Sequence, residues 1–255
     1  MRSWALVTGA TAGIGESFTR LLAANNYNLV LVARDLPRLE ERALALQAKF
    51  GVETVVLQAD LATEQGSALI ENYIVEHDID VLINNAGFGI KKAFTTSALS
   101  DEQNLLDVLV RTPMRIMHVA LPKMRARDKG IIINVSSVAG FIAGGSYSAS
   151  KSYLTVLSES LNTELFGTKV RVSALCPGFT RTEFHQRGQM SMKGLPSFMW
   201  LNADKLVAKA WSDALKGKAI SIPGWQYQIL TFVMRYAPRS LVRKIGMRVR
   251  VKQRR

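Results

Sequence analysis

Trp4-Ala5-Leu6-Val7-Thr8-Gly9-Ala10-Thr11-Ala12-Gly13-Ile14-Gly15 decides the fold. Residues 4–8 form a short apolar run of the kind found in a buried parallel strand. The glycine turn follows, and then a helical pattern through Phe18, Leu21 and Leu22. Strand, glycine turn and helix are the context of a dinucleotide-binding fingerprint. Glycines let the backbone approach a pyrophosphate, and a helix N-terminus favours its negative charge. The spacing here is Gly-x-x-x-Gly-x-Gly rather than the general Gly-x-Gly-x-x-Gly. Gly9, Thr11, Ala12, Gly13, Ile14 and Gly15 are the candidate cofactor contacts.

Working outward, strand and helix patterns alternate. Strands are expected at Asn28 to Ala33, Val52 to Gln58, Ile79 to Ile83, Gly130 to Ser136 and Val170 to Leu175. Helices are expected near Leu36–Phe50, Thr63–Glu76, Asp101–Arg127 and Tyr147–Phe166. The alternation predicts an α/β fold, a doubly wound parallel sheet of Rossmann type. Ligands of such sheets bind beyond the carboxyl ends of the strands. That rule gathers Arg34, Asp60-Leu61, Asn85-Ala86-Gly87, Ser136-Ser137 and Pro177-Gly178 around the glycine turn. Tyr147 and Lys151 lie one helical turn apart, so a phenol and an ammonium share one face. A nearby cation favours a phenolate and lowers a tyrosine's pKa, which suits proton transfer to or from an alcohol.

Length and composition fit one enzyme domain of 255 residues. The single cysteine, Cys176, excludes an intrachain disulfide and reads as a buried strand-end residue. No apolar run reaches the length of a membrane span, and the first strand opens by about residue 4, so no secretory or transit peptide is expected. The expectation is a cytoplasmic protein, with membrane association an open alternative. The net charge of +13 is uneven. Residues 205–255 hold 13 Lys or Arg against one acid, Asp213, giving +12; the first 204 residues hold 20 against 19, giving +1. Residues 1–222 read as the catalytic unit and 223–255 as a basic amphipathic extension. Aromatic and aliphatic side chains beside this basic cluster suit an anionic membrane surface. Equally open is a C-terminal helix covering an oligomer interface or the pocket, with a solvated basic end. No motif supports nucleic-acid binding, and no metal site is expected.

The motifs Thr8-Gly9-x-x-x-Gly13-x-Gly15, Asn84-Asn85-Ala86-Gly87, Ser136-Ser137, Tyr147-x-x-x-Lys151 and Pro177-Gly178 resemble the short-chain dehydrogenase/reductase family over roughly residues 3–200. The resemblance implies an NAD or NADP cofactor and hydride transfer between C=O and CH–OH. By motif position Ser137 would orient the carbonyl oxygen, with Ser136 the alternative, and Tyr147 would be the acid/base. Lys151 would bind the nicotinamide ribose and depress the tyrosine's pKa. It further implies Asp60 at the adenine, Asn85 and Gly87 along the cofactor, and Thr180 and Thr182 near the carboxamide. It suggests a homodimer or homotetramer.

Two departures stand out. Leu109 occupies the place where the family usually has an asparagine, and the Ser137–Tyr147 interval of ten residues is shorter than usual. They motivate an alternative, a cofactor-binding or regulatory protein with little catalysis. An acid at the end of the second strand would bond a ribose 2′-OH; here Ala33-Arg34 stands there, so NADP is expected over NAD. Arg38 could help, and Asp35 is a competing ribose contact. Residues 179–201, rich in Met, Phe and Trp, suit an apolar ketone or acyl substrate.

Overall fold

The structure, a computed structural model, describes residues 2–184, 195–244 and 246. Seven parallel strands lie in the order β3-β2-β1-β4-β5-β6-β7. They are β1 (Trp4–Thr8), β2 (Asn28–Ala33), β3 (Thr54–Gln58), β4 (Val81–Asn84), β5 (Gly130–Val135), β6 (Val170–Leu175) and β7 (Ile220–Ser221). The chain reverses its direction of winding between β1 and β4, which opens a crevice at their carboxyl ends.

Alternate residues of each strand face opposite layers. Ala5, Val7, Leu29 and Leu31 pack with Phe18 and Leu22 of α1 (Gly13–Ala24), Leu39 and Leu46 of α2 (Leu36–Phe50) and Trp211. Leu6, Val30 and Val32 pack on the other face with Ile70 and Ile74 of α3 (Glu64–Glu76), and with Leu105, Ile116, Met117 and Leu154. Burying one such side chain contributes about 1.5–3 kcal/mol, so strands covered on both faces read as continuous apolar runs.

Local chemistry sets the helix ends. Asp35 accepts from the N–H of Arg38 at 3.2 Å, and Thr63 from that of Gly66 at 3.0 Å. Gly51 closes α2 in the left-handed region at φ 61°. The stretch expected as one helix over Asp101–Arg127 is three consecutive pieces. These are α4 (Leu99–Leu106), a π turn (Asp107–Arg111) and α5 (Thr112–Ala126). Pro113 lacks the N–H that an α-helical register would give to the Leu109 carbonyl. Next come a 3₁₀ turn at Val138–Phe141, α6 (Ser146–Glu164), a 3₁₀ turn at Ser197–Met199, α7 (Ala203–Leu215) and α8 (Trp225–Tyr236).

β7 lies outside every expected strand: two residues carry no periodicity. β4 is displaced from Ile79–Ile83 to Val81–Asn84. Residues 185–194, with Met190 and Met192 of the expected substrate segment, and most of the basic end lie outside the described residues.

Candidate active site

The glycine turn sits at the carboxyl end of β1. Gly9 adopts φ +67° and its N–H donates to the Val32 carbonyl at 2.8 Å. A Cβ on Gly15 would lie 2.1 Å from the Gly9 carbonyl oxygen, so the turn closes on itself only without a side chain. Ala12, at the head of α1, offers no side-chain acceptor, and the first-turn amides of Gly13, Ile14 and Gly15 have no intrahelical partner. That uncapped terminus fits a pyrophosphate. Thr11 is buried beneath the turn. The Thr8 hydroxyl accepts from the amides of Asn85 and Ala86 at 2.9 and 3.1 Å. Asn85 Nδ2 in turn donates to the carbonyls of Thr8 and Gly9 at 2.9 and 3.2 Å. Asn85 therefore braces the turn through its side chain. Thr8 was absent from the candidate contacts, although its place at the strand end before Gly9 was the available signal.

On the adenosine side, Arg34 is exposed and its guanidinium makes no ion pair among the described residues. Asp35, a possible ribose contact, is instead the cap of α2. Arg38 is engaged elsewhere: its two terminal nitrogens reach Glu183 at 3.0 and 3.3 Å. Asp60 turns its carboxylate onto the amide of Ala62 at 3.1 Å. Leu61 is buried, and its carbonyl accepts from the Thr112 hydroxyl at 2.8 Å. A cavity of about 290 Å³, lined by Gly13, Ser17, Thr182, Glu183 and Asn202 among others, opens beside the first turn of α1. Thr182 presses on Gly13, and Thr180 is buried with its hydroxyl on the Gly178 carbonyl at 3.0 Å.

Ser137, Tyr147 and Lys151 converge beyond β5. The short connection works through the 3₁₀ turn and through Gly145, whose φ of 91° starts α6. A Cβ on Gly140 would fall 3.0 Å from the Ser152 amide, and one on Gly144 2.5 Å from Ser148 Oγ, so the loop lies flat on α6. Ser137 is thereby brought near enough to the Tyr147 phenol for its hydroxyl to act on the phenol's pKa. Its Oγ also accepts from the Ala139 amide at 3.1 Å and lies 3.5 Å from the Pro177 carbonyl. Ser136, the alternative, is buried, with its hydroxyl on the Lys151 carbonyl and the Thr155 hydroxyl, both at 2.7 Å. Of the two serines, only Ser137 is at the tyrosine. A buried chain anchors α6 behind them: Asn84 Nδ2 donates to Asn134 Oδ1 at 2.8 Å, and Asn134 Nδ2 donates to Ser158 Oγ at 2.9 Å. Asn84 and Asn134 lie 50 residues apart in sequence, and Asn134 and Ser158 lie 24 apart, so no local pattern pairs them.

One expectation reverses. The Tyr147–Lys151 spacing predicts a lowered phenol pKa. Burial instead pushes the Tyr147 phenol up to about 12, opposed only by the nearby Ser137 hydroxyl. Burial also pushes the Lys151 ammonium down to about 8. Lys151 Nζ donates to the Val135 carbonyl at 2.7 Å and lies 5.8 Å from the Tyr147 ring centroid. Leu109, within the π turn, is buried against Gly87, which neighbours Lys151 Nζ; Asn104 is exposed. Phe184 lies 6.0 Å from the Tyr147 ring, and Trp200 6.2 Å from Phe179. Cys176 is fully buried at the end of β6, beside Thr155.

The family model for short chain dehydrogenase matches residues 3–192. A ketoacyl reductase, HetN, of Nostoc sp. is 33% identical over 85% of this chain and 76% of its own length. The very-long-chain 3-oxoacyl-CoA reductase-A of Danio rerio is 27% identical over 98% of this chain and 79% of its own. The short-chain dehydrogenase of Sphingobium yanoikuyae, solved with NADPH, is 30% identical; it covers 91% of this chain and 93% of its own with a TM-score of 0.84. The chain belongs to the short-chain dehydrogenase family and is an oxidoreductase of that kind.

Proposed function

We propose that this protein reduces the carbonyl of an apolar ketone or 3-oxoacyl compound to an alcohol, with NADP(H) as cofactor. The observation that carries this reading is the meeting of Ser137, Tyr147 and Lys151 at the carboxyl end of β5, beside the glycine turn. The amides of Gly13, Ile14 and Gly15 would hold the pyrophosphate, and Arg34 the 2′-phosphate. Asn85, Ala86, Gly87, Pro177, Gly178, Thr180 and Thr182 would border the nicotinamide half. When bound, NADPH supplies the hydride that adds to the carbonyl carbon and is itself oxidised to NADP.

The chain's own residues handle the oxygen. Ser137 donates a hydrogen bond that holds the carbonyl oxygen toward Tyr147. The raised pKa keeps the Tyr147 proton in place at neutral pH, ready for transfer to the oxygen as the C=O π bond breaks. Lys151, whose Nζ lies 5.8 Å from the Tyr147 ring centroid, would offer its ammonium to the phenolate left behind. Phe184, 6.0 Å from the Tyr147 ring, would give the substrate side an aromatic wall, which favours an apolar partner. The named substrates of the Nostoc and Danio rerio relatives belong to that chemical class.

Tyr147→Phe should lower turnover by about 10²–10⁴-fold while NADPH binding, read by its fluorescence, persists. Retained turnover ends the role given to Tyr147. NADPH binding without oxidation on any of a panel of ketones, diketones and acyl thioesters would favour the alternative of a non-catalytic, regulatory binder, which Leu109 motivates.

A further inference from the structure

The helix α8 presents two opposite faces. Tyr227, Thr231 and Met234 are buried against the body. Trp225, Ile229, Phe232, Val233 and Tyr236 are exposed, Trp225 at 67%, Phe232 at 65% and Tyr236 at 72%. At about 100° per residue these five fall within an arc of roughly 100°, opposite the buried side. Trp225 and Tyr236 stand at the two ends of the stripe, about 16 Å apart along the axis. Arg235 lies within the helix and Arg239, Arg243 and Lys244 follow it, all exposed, and from Trp225 to Arg255 the sequence holds nine Lys or Arg and no acid.

We propose that this face docks the protein, in the plane of the interface, on the surface of an anionic lipid bilayer. The stripe supplies the apolar area an interfacial helix inserts, and the basic residues supply attraction to acidic headgroups. Charge complementarity selects this occupant. A second copy seated on the same face by a twofold axis would set one acid-free basic region against another. A nucleic acid would satisfy the charges and leave the aromatic stripe in water. Among the described residues no helix is long and apolar enough to cross a membrane, so contact is with the surface.

The face is also joined to the candidate active site. The Tyr227 hydroxyl accepts from the Phe179 amide at 2.9 Å and donates to the Met199 carbonyl at 2.5 Å, at both ends of the segment that follows Pro177-Gly178. α8 packs on the 3₁₀ turn after Ser137. A lipid-dissolved substrate would thus arrive beside the segment that borders Tyr147. This link rests on the proposed function; the docking itself does not.

The test is co-sedimentation of the full chain with phosphatidylcholine vesicles, with and without phosphatidylglycerol. Binding should require phosphatidylglycerol, weaken with added salt, and fall at least about tenfold in W225S/F232S. That variant should keep its melting temperature and its NADPH oxidation on a water-soluble ketone. Phe94→Ser, a change at a residue 68% exposed elsewhere on the surface, should leave binding intact. Three results overturn the proposal: no sedimentation of the intact chain, binding that W225S/F232S does not alter, or a variant that only turns an oligomer into monomers. An intact chain that reduces the ketone but binds no vesicles fails the docking alone, and an intact chain that binds vesicles but reduces no ketone fails the catalytic reading alone.

Discussion

Tyr147 and Lys151 both leave their charged forms under burial, and they do so in opposite directions. The folded Lys151 pKa of about 8 lies below the ordinary 10.5. Between those values the unfolded chain binds more protons, so stability rises with pH across the window and is lost as pH falls through 8. The full effect is roughly 3 kcal/mol for a group so deeply buried. The folded Tyr147 pKa of about 12 lies above 10.0, so its contribution is present below pH 10 and lost as pH climbs to 12. Melting temperature should therefore climb from pH 8 toward 10 and then decline, and Lys151→Met should flatten the climb. An unchanged climb in that variant would remove Lys151 as its source. The identities of this pair were legible from their spacing beside the glycine turn. The sign of the phenol's shift was not, because spacing reports the neighbouring cation and says nothing of desolvation.

Elements that join distant parts of the chain escaped the sequence most completely. The strand ends and the Gly9–Gly15 turn were readable because each is a local pattern. Tyr227 carried no local signal, yet it seats α8: a Cβ on Gly178 would lie 2.0 Å from its ring, and its hydroxyl bridges Phe179 and Met199. Tyr227→Phe keeps the ring and strips both hydrogen bonds, leaving a half-buried amide and carbonyl short of a partner. It should destabilise the fold by about 1–3 kcal/mol in urea unfolding; a loss below about 0.3 kcal/mol would deny it that role. The π turn shows the same limit. Apolar periodicity predicts a continuous helix, and only Pro113 hints that the ladder of hydrogen bonds shifts where Leu109 meets Gly87.

For the molecule as a whole, composition located the charge but not the attachment of the region that bears it. Residues 223–255 read as an extension because their charge differs from that of the body. Tyr227 is nevertheless fully buried, and Thr231, Met234 and Val242 are nearly so. Ending the chain at residue 222 should therefore lower the melting temperature by several degrees or more, whereas an independent appendage would leave it unchanged. The one cysteine offers a way to follow such openings. Burial pushes the Cys176 thiol up to about 11 and shields it fully from solvent. A thiol so placed is inert to alkylation while its surroundings hold. It reacts only in molecules that have transiently exposed the end of β6. Each covalent mark on this chain would then record one excursion of the sheet at the end of β6, with no label engineered in.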